Sequence, residues 1–233
     1  MSRVPLDAIR SVEAIVVSVP REVPYLGPLR PGESINARGY IVRKGNRTIY
    51  PSRDTSVLVK VTGESGSVGW GETYGIVAPG AVTAIIDDVL GPVVVGRDPA
   101  DAAAIHEDLY DLMRVRGFWG GYYVDALAGV DIALWDLFGK RAGLPLSALL
   151  GGRRHDTIPA YVSGLPKATL QERCDLAVEW TRKGFRGIKF AAAMSDDGVA
   201  REMAALREAV GPGIDLMVDL HWKYGAAEAI RLI

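Results

Sequence analysis

The chain has 233 residues, 48% of them hydrophobic, and a formal net charge of −1 from 27 Lys plus Arg against 28 Asp plus Glu. That balance provides no field to draw nucleic acid or an anionic membrane surface, and no apolar run reaches the roughly 18 residues of a spanning helix. The N-terminus has no long apolar core behind its charge, and the single cysteine, Cys174, cannot close an internal disulfide. Both features point to a cytoplasmic protein.

Residues 9–19 are rich in Val and Ile and predict a strand, and 55–62 alternates Val57, Val59 and Val61 with Leu58 and Lys60 as a second. Gly63-Glu64-Ser65-Gly66 turns the chain into a third, over 68–72. Between the first two strands lies a long irregular stretch, 20–53, of the kind found in functional or disordered loops such as lids. Asp98-Pro99 reads as an N-cap with proline in the first turn, opening a helix to about Met113. Asp125 reads as the cap of another, with Leu127, Val130, Leu134 and Leu137 at helical spacing and a stop at Gly143.

Beyond Arg154 the pattern becomes regular. Residues 158–163 predict a strand. Thr169-Leu170-Gln171-Glu172 predicts a capping box and a helix, and Lys183-Gly184 its end. A strand over 185–190, a helix carrying Val199, Met203, Leu206 and Val210, a strand over 216–220 and a helix from about Ala226 follow. This alternation is the signature of a parallel sheet covered by helices. A doubly wound sheet and an eight-stranded barrel both fit it, although no Gly-rich phosphate fingerprint follows any strand, which weakens the nucleotide-binding form. Only the first three strands of a barrel fit after Arg154. Three strands cannot close a barrel, so the chain is expected to be truncated, inactive alone and open to association at its last strand edge.

Catalytic groups of a barrel stand at the C-terminal ends of its strands. The strand ends here present Tyr161 and Ser163, Lys189 and Ala191, then Asp219 and His221 on one parity, with apolar Val162, Phe190 and Leu220 between them. In Asp219-Leu220-His221, alternation along a strand would set carboxylate and imidazole side by side. The next helix starts too far on for Asp219 to cap it, which favours a ligand for a hard metal ion. His221 reads equally as a hydrogen-bonded strand-end histidine or as an acid/base. Lys189 is either solvated or a source of positive charge for an anionic substrate or intermediate. Ser163 alone says little. Trp222, Lys223 and Tyr224 either contact a substrate or cover the barrel rim, and His106 and His155 read as structural or solvated.

On these residues the chain resembles the mandelate racemase and muconate lactonizing branch of the enolase superfamily. The resemblance is carried, in order, by Gly69-Trp70-Gly71-Glu72, Asp125-Ala126-Leu127-Ala128-Gly129-Val130-Asp131, Pro145-Leu146-Ser147-Ala148-Leu149-Leu150-Gly151-Gly152, Gly184-Phe185-Arg186-Gly187-Ile188-Lys189 and Met217-Val218-Asp219. It implies an α+β capping domain, set here at 1–124, and a (β/α) TIM-type barrel whose first three strands occupy 125–233 behind a leading helix. Mobile capping loops would fall within 20–53.

The resemblance also implies removal of a proton α to a carboxylate, with the enediolate stabilised on Mg2+. Such a proton is too weakly acidic for a lone side-chain base near neutral pH. Asp219 matches the first of three carboxylate ligands, with the other two expected on strands beyond this chain. Where many members carry Lys-X-Lys, this sequence has Lys189-Phe190-Ala191, so the usual second lysine base is missing. His221 matches the acid/base of acid-sugar dehydratases in the family, with the α-proton base on a later strand.

The expectation is therefore an Mg2+-dependent dehydratase of an aldonic or aldaric acid. Asp219 binds metal, His221 and Lys189 are catalytic, and Ser163, Trp222 and Lys223 bind substrate. The full-length protein is expected to be a homo-oligomer. A racemase, epimerase or lactone cycloisomerase is the alternative within the family, and an inactive fragment serving as a binding or assembly module is the alternative outside it.

Overall fold

The computed structural model describes residues 7–45, 47–221 and 223–232. In chain order the strands and helices are β1 (Ile9–Pro20), β2 (Tyr40–Val42), β3 (Ile49–Pro51), β4 (Arg53–Gly63), β5 (Val68–Tyr74), α1 (Pro79–Ile85), α2 (Gly91–Val94), α3 (Ala102–Arg114), α4 (Tyr122–Ala142), α5 (Leu146–Leu149), β6 (Val162–Ser163), α6 (Leu170–Arg182), β7 (Gly187–Ala191), α7 (Val199–Val210), β8 (Asp215–Asp219) and α8 (Ala226–Leu232). Two compact units divide the chain: Met1–Pro20 with Arg53–Arg154, and Arg21–Ser52 with His155–Ile233. The single cut expected at 124/125 falls inside the first unit, because α4 packs on the sheet of that unit.

The first unit is built on an antiparallel sheet in the order β1-β4-β5. Alternation places Val57, Val59 and Val61 of β4 on one face, where they are fully buried against Leu127, Val130 and Leu134 of α4. The glycines of Gly69-Trp70-Gly71-Glu72 allow that contact. A Cβ on Gly71 would overlap the Gly129 carbonyl, and one on Gly129 would lie 2.8 Å from Val59 Cγ2 and from Thr73 Cγ2. Strand and helix thus meet backbone to backbone, which only glycine permits. The same strand is tied to α4 by Trp70 N–H donating to Asp136 Oδ2 at 2.7 Å.

Asp98 caps the α3 region as expected, accepting from the Ala100 amide at 3.0 Å in a 3-10 turn, Pro99–Asp101, that leads into the helix. Asp125 is not a cap. Gly121 holds that position and Asp125 sits in the first turn of α4, because the helix begins earlier, at Tyr122, with the buried Tyr123 hydroxyl bonded to the Leu109 carbonyl. The helical stretch from Pro79 to Val94 was not expected. Its Gly91-Pro92 resembles a break, yet Pro92 lies in the first turn of α2, where a missing N–H costs nothing.

The second unit carries a parallel sheet in the order β6-β7-β8. Ile188 and Phe190 of β7 are buried in one cluster with Cys174 and Ala177 of α6 and Leu206 of α7, and Leu216 and Val218 of β8 pack against it. The helices therefore cover the even-numbered face of this sheet, as in a barrel rather than a doubly wound sheet. Thr169 and Glu172 form the expected capping box at the start of α6. Arg173 and Glu202, buried on α6 and α7, pair at 2.7 Å.

The strand expected over 158–163 is only Val162–Ser163. It pairs with β7 alone among the described residues, and Ile158 is 84% exposed, so nothing recruits the earlier residues.

The stretch from Arg21 to Ser52 is ordered around a buried brace and the antiparallel pair β2-β3. Arg43 donates to the carbonyls of Tyr25, Gly27 and Pro28 and to Glu33 Oε2, the last at 2.7 Å. Arg30 reaches the loop after β7, donating to the Ala193 carbonyl at 3.1 Å and pairing with Asp196 Oδ1 at 3.0 Å.

Candidate active site

The register of the parallel sheet sets Ser163 beside Lys189 and Ala191 beside Asp219. These odd-numbered positions line up on the face opposite the helices, because neighbouring residues point to opposite sides of a strand. Lys189 Nζ lies 3.6 Å from Asp219 Oδ2 and 5.5 Å from the centroid of the Tyr161 ring.

His221 leaves this row. Its φ of +48° is left-handed, a conformation that costs a side-chain-bearing residue about 1 kcal/mol. The Asp219 carboxylate supports the turn, since Oδ1 accepts the His221 amide at 3.0 Å, as in an Asx-turn. The imidazole comes back toward the same carboxylate, with Nε2 3.8 Å from Oδ1, while Nδ1 lies 3.4 Å from the Tyr50 hydroxyl. Tyr50 in turn stacks on Tyr25 with ring centroids 5.5 Å apart. Strand alternation is thus corrected as the reason Asp219 and His221 meet: a turn brings them together.

The His221 amide holds the Asp219 carboxyl below the usual carboxylate range, against burial and with help from the charges of His221 and Lys189. Asp219 is therefore an ionised oxygen donor, and its side chain is 42% exposed. That chemistry suits one ligand of a divalent ion such as Mg2+. Among the described residues no group of three or more His, Cys, Asp or Glu side chains is placed to hold a metal. The described residues therefore fit one corner of such a site and do not enclose an ion.

Beside the cluster is a cavity of about 220 Å3 whose lining includes Ser163 and Ala191, with Arg21, Tyr25 and Leu26. Of the residues expected at the site, Asp219, Lys189 and His221 are brought together, and Ser163 stands at the cavity wall one strand from Lys189. Lys223 lays its ammonium 5.4 Å from the Tyr224 ring centroid, and no described contact joins it to the cluster. Trp222 lies outside the described residues. Tyr50, Tyr25 and Arg21 were not anticipated, and nothing local in the sequence marks them. Tyr50 and His221 are 171 positions apart.

Residues 47–151 match the mandelate racemase / muconate lactonizing enzyme N-terminal domain, and residues 172–233 match the enolase C-terminal domain-like family. The chain belongs to the mandelate racemase and muconate lactonizing enzyme family. Within the enolase superfamily it has an N-terminal α+β domain and part of a barrel. A family member from Agrobacterium fabrum, D-galactarolactone cycloisomerase, is 38% identical over 184 residues, covering 77% of this chain and 48% of the relative. D-galactonate dehydratase from Xanthomonas euvesicatoria pv. vesicatoria is 33% identical over 198 residues, covering 80% and 50%. A solved member of the enolase superfamily from Agrobacterium tumefaciens aligns with a TM-score of 0.92 at 55% identity, covering 97% of this chain and 58% of that one. The chain spans about half the length of the curated relatives it matches.

Proposed function

We propose that this chain carries part of the active site of an Mg2+-dependent dehydratase acting on an aldonic or aldaric acid. The observation that carries the reading is the Asp219–His221 turn with Lys189 against it, together with alanine at 191. Lys189 is then the one cation of the β7 strand end, able to hold an anionic carboxylate but without a second lysine beside it to take a proton. His221, aimed by its own backbone bond to Asp219 and by Tyr50, is the group that protonates the departing hydroxide. Asp219 supplies one oxygen ligand for the ion, and the bound ion would neutralise charge developing on the substrate carboxylate. The acceptor of the α-proton is assigned to a residue outside this cluster.

Relatives named D-galactonate dehydratase support the elimination. The relative named D-galactarolactone cycloisomerase favours a second reading, in which the same residues open a lactone ring instead of expelling hydroxide. The test is incubation of the protein expressed from its complete reading frame with Mg2+ and a panel of acid sugars and their lactones in D2O. A 2-keto-3-deoxy acid formed from an open-chain acid supports the dehydratase. Deuterium exchange at the α-carbon without keto product rejects it, and turnover of lactones alone establishes the cycloisomerase.

A further inference from the structure

We infer that the face of the β1-β4-β5 sheet turned away from α4 is where a second copy of this chain packs, across a twofold axis, with the turn between α3 and α4 as its anchor. The inference is independent of the roles given to Asp219, His221 and Lys189. It concerns a surface of the first unit, and its test needs no turnover.

An antiparallel sheet with one face in the core normally presents polar residues on the other. This sheet does not. Helices α1 and α4 bury the face of Val57, Val59 and Val61. On the opposite face the register sets Ile15 beside Leu58, and Val17 beside Ser56, which pairs in turn with Tyr74. Trp70, four residues before Tyr74 on β5, shares that face. Tyr122, at the start of α4, joins the surface through Tyr74, with ring centroids 6.1 Å apart. The turn before it carries Phe118 and Trp119, and that turn is well built. The Arg116 and Phe118 amides both donate to the Met113 carbonyl, and Gly117 and Gly121 supply its φ values of +91° and +58°. Two aromatic rings are thus held out in water by an ordered backbone, which lowers the entropy lost when a partner covers them.

Size and charge decide what covers this surface. Its two exposed aliphatic and five exposed aromatic residues are 36–62% exposed, and at about 150–250 Å2 for a large side chain they leave on the order of 600 Å2 of apolar surface in water. That is the top of the range for the largest apolar patch of a monomer. With a polar rim it approaches the roughly 800 Å2 that each partner buries in a stable dimer. The charged groups on the sheet face already have partners. Lys60 Nζ lies 3.3 Å from Glu13 Oε1, and Glu72 Oε1 accepts from Ser56 Oγ at 2.6 Å. The face therefore calls for no oppositely charged partner, and an identical apolar face matches it. Strand addition is blocked along the outer edge of β1, where the Ala14 amide donates to Asp87 Oδ1 at 3.2 Å and Ile9 bonds to Gly96 and Arg97. Face-to-face packing remains, with the sheets about 10 Å apart and their strands within about 30°. A twofold axis then lets the turn of each copy meet the sheet of the other.

The experiment uses the protein expressed from its complete reading frame. Light scattering should give the mass of a dimer or of an assembly of dimers. Trp70→Lys combined with Trp119→Ser should raise the dissociation constant about thirtyfold or more, the effect of losing interface anchors, with the far-UV circular dichroism unchanged. A second measurement does not depend on how that variant folds. Cys174 is buried, so Val17→Cys places an accessible thiol on the face, and its rate of modification by a maleimide should fall about tenfold or more as the protein concentration is raised through the dissociation constant. A monomeric mass overturns the inference, whether the thiol at position 17 reacts fast, as on a free face, or slowly, as beneath later parts of the same chain. An oligomer left intact by Trp70→Lys with Trp119→Ser uses another face and overturns it as well.

Discussion

Replacing Arg43 by methionine should loosen the 21–52 stretch while leaving the rest of the molecule folded. Arg43 and Glu33 have side chains only 5% and 0% exposed, so the substitution leaves a carboxylate buried without its cation. Breaking a buried pair in this way costs about 3–5 kcal/mol. A second route to the magnitude comes from Glu33 itself. Burial would raise its carboxyl, but the amides of Arg30 and Lys44 and the Arg43 guanidinium outweigh burial and bring it from 4.5 down to about 2. At about 1.4 kcal/mol per unit this is about 3 kcal/mol. The two amides take the larger part of that stabilisation and remain in the variant, so a loss of about 2 kcal/mol, below the range for a bare buried pair, is taken for Arg43, or a factor of ~30 in local opening.

Because the folded carboxyl is depressed, its contribution is complete above pH 4.5, where the unfolded chain is also ionised, and is lost as the pH falls through about 2. Hydrogen exchange, corrected for intrinsic rates, should show ~30-fold faster opening at the Arg30 and Lys44 amides of the variant near neutral pH. The β4 amides should not change. Unaltered protection at Arg30 and Lys44 would refute the reasoning.

Three further outcomes are expected. Gly129→Ala should destabilise the protein by about 1–3 kcal/mol in urea unfolding, because the new methyl meets Val59 and Thr73 at 2.8 Å; a loss below about 0.5 kcal/mol would mean that α4 has room to retreat. Thr169→Ala removes the capping box of α6 and should cost about 1 kcal/mol, seen as a fall of about 2–4 °C in Tm. Asp219→Asn should cut turnover at least a hundredfold, as about 2.7 kcal/mol or more of lost charge stabilisation implies, with stability changed by less than about 1 kcal/mol; near-normal turnover would remove Asp219 from the site.

Local chemistry was legible in the sequence where it acts over a few residues. The Thr169–Glu172 box and the Asp98 cap are self-contained motifs, and alternation around Lys189 and Asp219 correctly sets both on one face, since parallel strands preserve parity across the register. The same alternation fails at His221, two positions later, because the Asp219 side chain captures its amide and turns the backbone left-handed. Asp125 misled as a cap because a start signal in sequence says nothing of the Tyr123 hydroxyl, which finds the Leu109 carbonyl and draws the helix start upstream. The Arg43–Glu33 brace and the Tyr50–His221 contact are tertiary. Each depends on where a loop folds, and no periodicity encodes that.

The placement of Arg21–Ser52 with His155–Ile233 also orders events during synthesis. Arg30 meets Ala193 across 163 positions and Tyr50 meets His221 across 171. At about 5–20 residues per second, the stretch leaves the ribosome on the order of ten seconds or more before those partners exist. Its Arg43–Glu33 brace is local, within 10 positions, and can form during that wait. The brace can therefore form early, and the contacts of this stretch to Ala193 and to the His221 turn are added only once those later segments have been made.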